Sequence, residues 1–165
     1  MAHERFEFAM PASADVVFDA FHYHRWRSRW DSLVDATHVL DGAPCPFVGA
    51  TSANAGGGLL RPLSMQTRFI AYEPAKVAAA VMCGSSFPFA RWSASMRHRA
   101  AGAGRSVMVY TYTFETRPAI LRAVMDPLVK LVFDWQTRKR FRRMQQFLAC
   151  HGPDVEDWQR EGRPA

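Results

Sequence analysis

The residues of this chain that could do chemistry lie among apolar residues on predicted strands and one predicted helix. A tyrosine hydroxyl or the imidazole of His98 could transfer a proton at a ketone, and the guanidinium of Arg140 could stabilise an enolate. A mostly apolar lining with a few polar groups is typical of small-molecule pockets. The predicted ligand-binding set is Phe69, Trp92, Met96, His98, Tyr110, Tyr112, Phe133, Gln136 and Arg140. We assign none of them as catalytic, because buried tyrosines also pack their rings and donate to the backbone, and His98 near a strand end could be exposed.

Motifs for metals, nucleotides and nucleophilic catalysis are incomplete in this sequence. Cys45, Cys83 and Cys150 show no C-x-x-C spacing, so we expect reduced or buried thiols rather than disulfides or a zinc knuckle. His22 and His24 are two residues apart on a predicted helix and point to different faces. The glycine-rich stretches lack the remaining residues of a P-loop or a dinucleotide fingerprint, and no G-x-S-x-G is present. We therefore expect no metal site and no cofactor.

The chain is basic, with a net charge of +6 and a pI near 9.7. Its arginines cluster at 25–29 and again at 138–143. This charge could serve an anionic partner, but the solvated face of a helix is often basic, and we favour that interpretation. No nucleic-acid recognition signature is present, so we expect no specific nucleic-acid partner.

The stretch 24–31 is dense in arginine and tryptophan. It could hold an anion or a nucleobase by stacking. It could instead form a short helix whose tryptophans cap the end of the core. We favour the structural interpretation.

Length and composition predict one globular domain. The chain has 165 residues, of which 48% are hydrophobic and 22% charged. Its first residues contain no signal-peptide core, and no apolar run approaches the ~20 residues that cross a bilayer. We expect a soluble, cytoplasmic protein with a single domain at 1–151 and a polar, flexible tail at 152–165, where Pro and Gly occur.

Two long strands, 89–99 and 105–116, joined by a glycine-rich link, give the clearest sheet signal. When Met96 pairs with Met108, the large residues of both strands gather on one face, as a half-buried sheet requires. This register also places Ala94 opposite Tyr110 and Trp92 opposite Tyr112. Further strands are predicted at 5–10, 37–40, 47–52, 65–72 and 77–82, with a flexible glycine-rich tip at 53–58.

The longest predicted element is a helix over 126–150, preceded by a short helical turn at 119–125. It starts with Asp-Pro, in which Asp can cap the helix and Pro fits the first turn. One apolar stripe should face the core, with polar residues at its centre, among them Arg140. Arg140 either extends past the edge of the core or points into a cavity, and its spacing predicts an inward direction. A second apolar stripe predicts that the first half of the helix is covered on two sides; it consists of Leu128, Leu131 and Trp135.

The predicted order is a strand, two short helices, some six antiparallel strands and the long helix, with Ser13 as N-cap of the first helix. A strongly curved antiparallel sheet wrapped around one long helix satisfies the layer rules of an α+β domain. The sequence therefore predicts an α+β fold with two short helices after the first strand.

This pattern resembles the START-related helix-grip superfamily, also called SRPBCC, and within it the polyketide cyclase/dehydrase-like branch. Three short motifs carry the resemblance: PASADVVF at 11–18, WDSLV at 30–34 and YEPAKV at 72–77. The two long strands and the terminal helix also match in order and length, so the likeness covers roughly residues 3–150. Each motif is weak alone, whereas the ordered set is more specific.

The resemblance implies a deep cavity between the curved sheet and the long helix. Such a cavity would hold an apolar small molecule, for example a lipid, a sterol or a polyketide. Some members are aromatases or cyclases, and many are carriers. The family has no invariant catalytic motif, so no catalytic residue is carried over to this chain.

Three functions are consistent with the sequence. The first is binding or carriage of a hydrophobic small molecule. The second is a polyketide cyclase, aromatase or dehydratase that uses Tyr and His acid-base groups in the same cavity. The third is an interaction module that binds an anionic partner through its basic surface. A homodimer is left open, and no transmembrane segment is expected.

Overall fold

The structure, a computed structural model, describes residues 1–31, 33–56 and 64–162. Positions 57–58 of the predicted glycine-rich tip and the last three residues of the predicted tail lie outside these ranges. The elements are β1 (Ala2–Met10), α1 (Ala14–His22), α2 (His24–Arg27), β2 (Val34–Val39), β3 (Thr51–Gly56), β4 (Ser64–Glu73), β5 (Val77–Met82), β6 (Phe89–Ala100), β7 (Ser106–Thr116), a 3-10 turn (Ala119–Leu121) and α3 (Arg122–Glu161).

Within the described ranges, seven antiparallel strands form one sheet in the order β1-β7-β6-β5-β4-β3-β2. The two short helices follow β1, and the long helix closes the chain. This is the helix-grip arrangement of an α+β domain, so the predicted fold class is confirmed. No helix of the described part of the chain is both long and apolar enough to cross a membrane.

The β6–β7 hairpin has the predicted faces but a different register. Met96 pairs with Tyr110 and Ala94 with Tyr112, which is a shift of two residues from the predicted pairing. The turn explains the shift, because Gly102 and Gly104 both adopt positive φ, at 108° and 62°, and centre the loop one residue later. Because side chains alternate with period two, an even shift keeps the large residues on the same face.

Strands β1 and β2 each begin three residues earlier than predicted, and the third strand is displaced along the chain. The strand predicted at 47–52 lies instead at Thr51–Gly56, so positions 53–56 of the predicted flexible tip are part of β3. The chain before it turns at Gly49, which has a φ of 90° that favours glycine.

Helices α1 and α2 bury the tryptophans of the arginine-rich stretch. Ser13 Oγ accepts a hydrogen bond from the Val16 N–H at 3.4 Å, as the N-cap prediction requires. Trp26 and Trp30 are about 5% exposed, and Trp30 Nε1 donates to the Ala20 carbonyl at 2.9 Å. The guanidinium of Arg25 lies 4.8 Å from the Trp26 ring centroid. These tryptophans therefore pack in the core, as the structural interpretation predicted.

Helix α3 is longer than predicted at both ends. It begins at Arg122, and Asp126 is not its N-cap: Asp126 Oδ1 accepts from the Thr116 N–H at 2.9 Å and from its hydroxyl at 2.8 Å. It continues through Gly152 and Pro153 to Glu161, for 40 residues or about 60 Å.

The predicted flexible tail was wrong for residues 152–161. Val155 is fully buried and Trp158 is 7% exposed, with its ring 4.7 Å from that of Tyr23. A proline inside a helix costs about 3 kcal/mol, whereas burying two apolar side chains of this size contributes roughly 1.5–3 kcal/mol each. Tertiary packing therefore carries the helix past its local stop signals, and the domain does not end at residue 151.

The second apolar stripe of α3 is not covered as predicted. Leu128, Leu131 and Trp135 are 56%, 69% and 58% exposed. The core instead contacts the neighbouring side of the helix, where Val129 and Phe133 pack against it. Because the sheet covers one side of this half of the helix, the other side faces solvent.

Candidate ligand-binding site

A cavity of about 140 Å³, here called the inner chamber, lies between the sheet and the three helices. Strands β3 to β7 form its walls on one side, and α1, α2 and α3 close it on the other. Strands β5 and β6 place alanines toward the helices at Ala78, Ala80 and Ala94, where a larger side chain would fill the space. The chamber therefore follows from small residues at inward positions of the central strands.

A second cavity, here called the outer groove, has a volume of about 400 Å³. The first half of α3 and the segment before β6 form much of its wall, and its lining is almost entirely apolar. It shares Leu33, Asn54, Met65 and Phe133 with the inner chamber, so the two spaces adjoin. Phe87 and Leu128 on its wall are each 56% exposed, which places the groove at the protein surface.

Three charged side chains meet at the wall of the inner chamber, here called the Arg–Asp–Arg cluster: Arg27, Asp31 and Arg140. Asp31 Oδ2 accepts from Arg27 Nε at 2.9 Å and from Arg140 Nη2 at 2.6 Å. Asp31 Oδ1 accepts from the Leu33 N–H at 3.1 Å. The exposed fractions of the side chains are 11% for Arg27, 1% for Asp31 and 6% for Arg140. The predicted inward direction of Arg140 is confirmed.

Burial and pairing act in opposite directions on the charges of this cluster. Burial alone would raise the pKa of Asp31, but the nearby Arg140 and Arg27 guanidiniums outweigh it and hold the pKa below its ordinary value. Burial lowers the pKa of Arg27, although Asp31 opposes that shift. Asp31 is therefore ionised at neutral pH, and the cluster holds two cations against one anion.

The cluster was missed at the sequence level, although Arg27 and Asp31 carry a signal. They are four residues apart, at a spacing that lets an Arg–Asp pair form along a helical turn. The arginine-rich stretch was interpreted either as a binding stretch for an anion or a nucleobase or as a short helix that caps the core. Contact with Arg140, 109 residues from Asp31 in the chain, has no local signature.

Seven of the nine predicted ligand-binding residues line one of the two cavities. Those in the inner chamber are Phe69, Trp92, Met96, Tyr110, Phe133 and Arg140, and those in the outer groove are Phe133 and Gln136. The chamber also contains polar residues outside the predicted set, namely His22, Ser52, Asn54, Thr67 and Ser95. A role for the nine predicted residues in ligand binding stays a prediction.

His98 belongs to neither cavity lining. Its side chain lies beneath α1, with its ring 5.6 Å from that of Phe18. Burial lowers the pKa of His98 to about 4. Strand alternation places His98 on the same face of the sheet as Met96, but His98 lies two residues further along β6, beyond the end of the chamber.

Tyr112 also lies outside both cavities. Its hydroxyl donates a hydrogen bond to Asp134 Oδ1 on α3, and Lys130 Nζ donates to the other oxygen of that carboxylate at 2.6 Å. Burial, together with the Asp134 carboxylate, raises the pKa of the Tyr112 hydroxyl. The Tyr112 side chain therefore links β7 to α3 through a hydrogen bond.

Three residues that line the inner chamber each carry a buried side-chain atom with no hydrogen-bond partner in the described part of the protein. These atoms are Arg140 Nε, Trp92 Nε1 and Ser52 Oγ. His22, by contrast, donates from Nδ1 to the Phe18 carbonyl at 2.8 Å, and burial lowers its pKa well below the ordinary value. The chamber wall thus contains unpartnered donors and a neutral imidazole.

The described residues form no candidate metal site. No group of three or more His, Cys, Asp or Glu side chains is arranged to hold a metal ion among residues 1–31, 33–56 and 64–162. Cys45 and Cys83 are partly buried free thiols, and Cys150 is an exposed one.

Sequence comparison gives one family. The model of the family described as "Polyketide cyclase / dehydrase and lipid transport" matches residues 1–148. Among proteins of curated function, no sequence matches this chain significantly.

Solved structures with the same fold are numerous and distant in sequence. The Zhui aromatase/cyclase from Streptomyces sp. R1128 superposes with a TM-score of 0.76 at 14% identity, covering 91% of this chain and 94% of its own. A START superfamily protein from Mycobacterium smegmatis has a TM-score of 0.70 at 13% identity, covering 87% and 94%. A conserved protein from Geobacillus kaustophilus has a TM-score of 0.71 at 9% identity, covering 91% and 97%. At such identities the likeness establishes the fold alone.

Proposed function

This chain belongs to the family of polyketide cyclases, dehydrases and lipid-transport proteins, and we propose that it binds and carries a hydrophobic small molecule between its sheet and α3. The observation that carries the proposal is the pair of adjoining cavities, one lined by core residues and the other almost entirely apolar and bordered by exposed side chains. Their volumes, about 140 and 400 Å³, suit a lipid- or polyketide-sized ligand.

The groove offers a route of entry. A ligand that leaves water first meets the exposed apolar residues at the groove, among them Phe87 and Leu128, and then passes Phe133 into the chamber. Transfer of apolar surface from water to these walls supplies the driving force, about 25 cal/mol for each Å² removed from water.

A second candidate function is catalysis of a cyclisation or dehydration in the same cavity. Tyr110 favours it, because its side chain lines the chamber together with Arg140, and burial raises the pKa of Tyr110 so that the phenol stays protonated. A protonated phenol beside a guanidinium could donate to a ketone oxygen as negative charge develops there. The other acid-base groups predicted for this role, His98 and Tyr112, lie outside the cavity, so this candidate depends on Tyr110.

Filling the chamber tests the binding proposal. Ala94→Phe places a ring in a space of about 140 Å³, opposite Ala80 in the β5–β6 register. Ala79→Phe is the matched control, because Ala79 lies next to Ala80 in β5 but alternates to the other face of the sheet. We expect Ala94→Phe to weaken binding of the neutral fluorescent dye Nile red at least about tenfold, the size of a modest overpacking penalty.

Native mass spectrometry of the purified protein gives an independent measurement. A retained small molecule whose mass disappears on denaturation would support carriage, and its formula would identify the ligand class. Equal Nile red affinity in the two variants would show that the dye does not enter the chamber and would count against the proposal.

Tyr110→Phe separates the two candidate functions, since a carrier keeps its ligand affinity without the hydroxyl, whereas a cyclase loses turnover while binding persists.

A further inference from the structure

The inner chamber presents positive charge to whatever occupies it. Arg27 and Arg140 both line the chamber, whereas their shared partner Asp31 is not part of the wall. Among the described residues of that wall, none is acidic. His22 adds no charge, because burial holds its pKa well below neutrality. Two guanidiniums and one carboxylate leave an uncompensated charge of +1 beside apolar walls, which is costly unless an anion approaches it.

The chamber wall also contains buried hydrogen-bond donors that lack acceptors. Arg140 Nε and Trp92 Nε1 can only donate, and Ser52 Oγ can do so. Arg140 is 5% exposed, so its free N–H has little access to bulk water. Buried donors without partners are rare in folded proteins, and here three of them belong to residues that line one small space. An occupant with oxygen acceptors would satisfy those donors that a small side-chain rotation turns toward the chamber.

The outer groove has the opposite character. No charged side chain occurs among its described wall residues, which include Phe89, Met125, Val129 and Val132. A ligand that spans both spaces therefore meets apolar walls near the surface, and cations and donors at its inner end. Such a gradient selects the direction in which an amphipathic molecule enters.

We propose that the ligand is an amphipathic anion, whose carboxylate or comparably acidic oxygen seats against Arg140 in the inner chamber while its apolar part fills the outer groove. This inference rests on the proposed binding function and adds the charge and orientation of the ligand. The acidic head could belong to an acyl chain or to a fused-ring molecule, since both bring the same oxygen chemistry to the chamber.

Matched pairs of acids and alcohols test the proposal on the unmodified protein. Dodecanoate and dodecanol share a chain, while anthracene-2-carboxylate and 2-(hydroxymethyl)anthracene share a ring system. Affinities are measured by displacement of Nile red at pH 8, where both acids are ionised. We expect at least one acid to bind about ten- to a hundredfold more tightly than its alcohol, as for hydrogen bonds to charged groups. The pair with the tighter acid distinguishes an acyl chain from a fused ring.

Variants then locate the head group. Arg140→Gln should remove the preference for the acid, measured as the ratio of the acid and alcohol affinities in the same variant. In this variant Asp31 keeps its bond to Arg27, so the carboxylate is not left unpaired. Arg143→Gln is the control, because it removes the same charge from an exposed position of α3 and should keep the preference. Trp92→Phe removes one free donor without changing charge and should weaken acid binding severalfold more than alcohol binding.

The outcomes separate this inference from the binding proposal. If acids and alcohols bind equally well to the unmodified protein, the cavity takes apolar ligands but the anionic head is wrong. An acid preference that survives in Arg140→Gln would also overturn the proposed seat of the head group. If none of the four probes displaces the dye and the dye itself does not bind, both proposals fail together.

Discussion

Asp31→Asn removes the negative charge that holds two buried guanidiniums together while keeping the shape of the side chain. Asp31 is 1% exposed and accepts from both Arg27 and Arg140 through one oxygen. An asparagine at this position leaves two cations close together without an anion. Breaking a buried ion pair by removing one partner costs about 3–5 kcal/mol, and we expect a loss of stability of that size at pH 7.

The assay is urea unfolding followed by tryptophan fluorescence. With a urea dependence of about 2 kcal/mol per M, the unfolding midpoint should fall by about 2 M. For a domain of 165 residues, the same loss lowers the melting temperature by roughly 6–20 °C. Asp157→Asn is the matched control, since Asp157 is 62% exposed and pairs with Arg160 at the surface, where the expected change is below about 0.5 kcal/mol.

The pH dependence of this difference tests its electrostatic origin. The pKa of Asp31 is lower in the folded protein than its ordinary value of 3.8. A depressed carboxyl pKa contributes stability that is complete above the unfolded-state pKa and is lost as the pH falls through the folded-state pKa. The stability difference between the unmodified protein and Asp31→Asn should therefore be constant above about pH 5 and narrow below pH 3.8. A difference below 1 kcal/mol at pH 7, or one that does not narrow in acid, would refute the reasoning.

Two further predictions concern features that the sequence interpretation placed differently. Trp158→Ala should destabilise the protein by about 3–5 kcal/mol in urea unfolding, because the Trp158 side chain is only 7% exposed. The control Trp135→Ala should cost less than about 0.5 kcal/mol, because Trp135 is 58% exposed. Similar losses of stability in the two variants would mean that the end of α3 is not packed. Tyr112→Phe should leave Nile red affinity within about twofold and cost about 1 kcal/mol of stability through the lost bond to Asp134; a large loss of affinity would place Tyr112 at the ligand.

Much of the fold could be predicted from alternation along strands, because burial of one sheet face is a local pattern. Strand β5 lies at Val77–Met82 as predicted, between turn residues that define both of its ends. The β6–β7 faces were predicted correctly while their register was not, since register depends on which turn residues adopt positive φ. The alternation of side chains determines which face of the sheet a residue lies on, but not which residue of the neighbouring strand it pairs with.

The end of α3 could not be predicted because tertiary contacts override local signals there. Gly152 and Pro153 are ordinary helix terminators, and a polar composition follows them. Yet Trp158 continues the buried side of the helix and packs against Tyr23 and Trp26. The partners of this tryptophan lie in α2 and at the junction between α1 and α2, far from it in the sequence, so no window along the chain contains the interaction.

The candidate site shows the same contrast between features with a local sequence pattern and features that depend on distant residues. Its apolar walls were predictable, because Phe69, Trp92, Met96 and Tyr110 follow strand alternation. Its charged cluster was not, since the ion pair between Asp31 and Arg140 joins two distant segments. His98 was misplaced because alternation identifies a face of the sheet but not how far along the strand the cavity extends.

The Arg–Asp–Arg cluster joins the stability of the fold to the proposed binding site. Its hydrogen bonds link α3 to the segment after α2, yet they leave an unbalanced positive charge and unpartnered donors in the chamber wall. A chain selected for stability alone would place apolar side chains here, since replacing buried ion pairs with them is often stabilising. A ligand that binds only the folded state adds about 2.7 kcal/mol of stability when present at a hundred times its Kd. The unbalanced charge is therefore tolerable if an anion occupies the chamber for much of the time, and local violations of this kind are expected at functional sites rather than in inert cores.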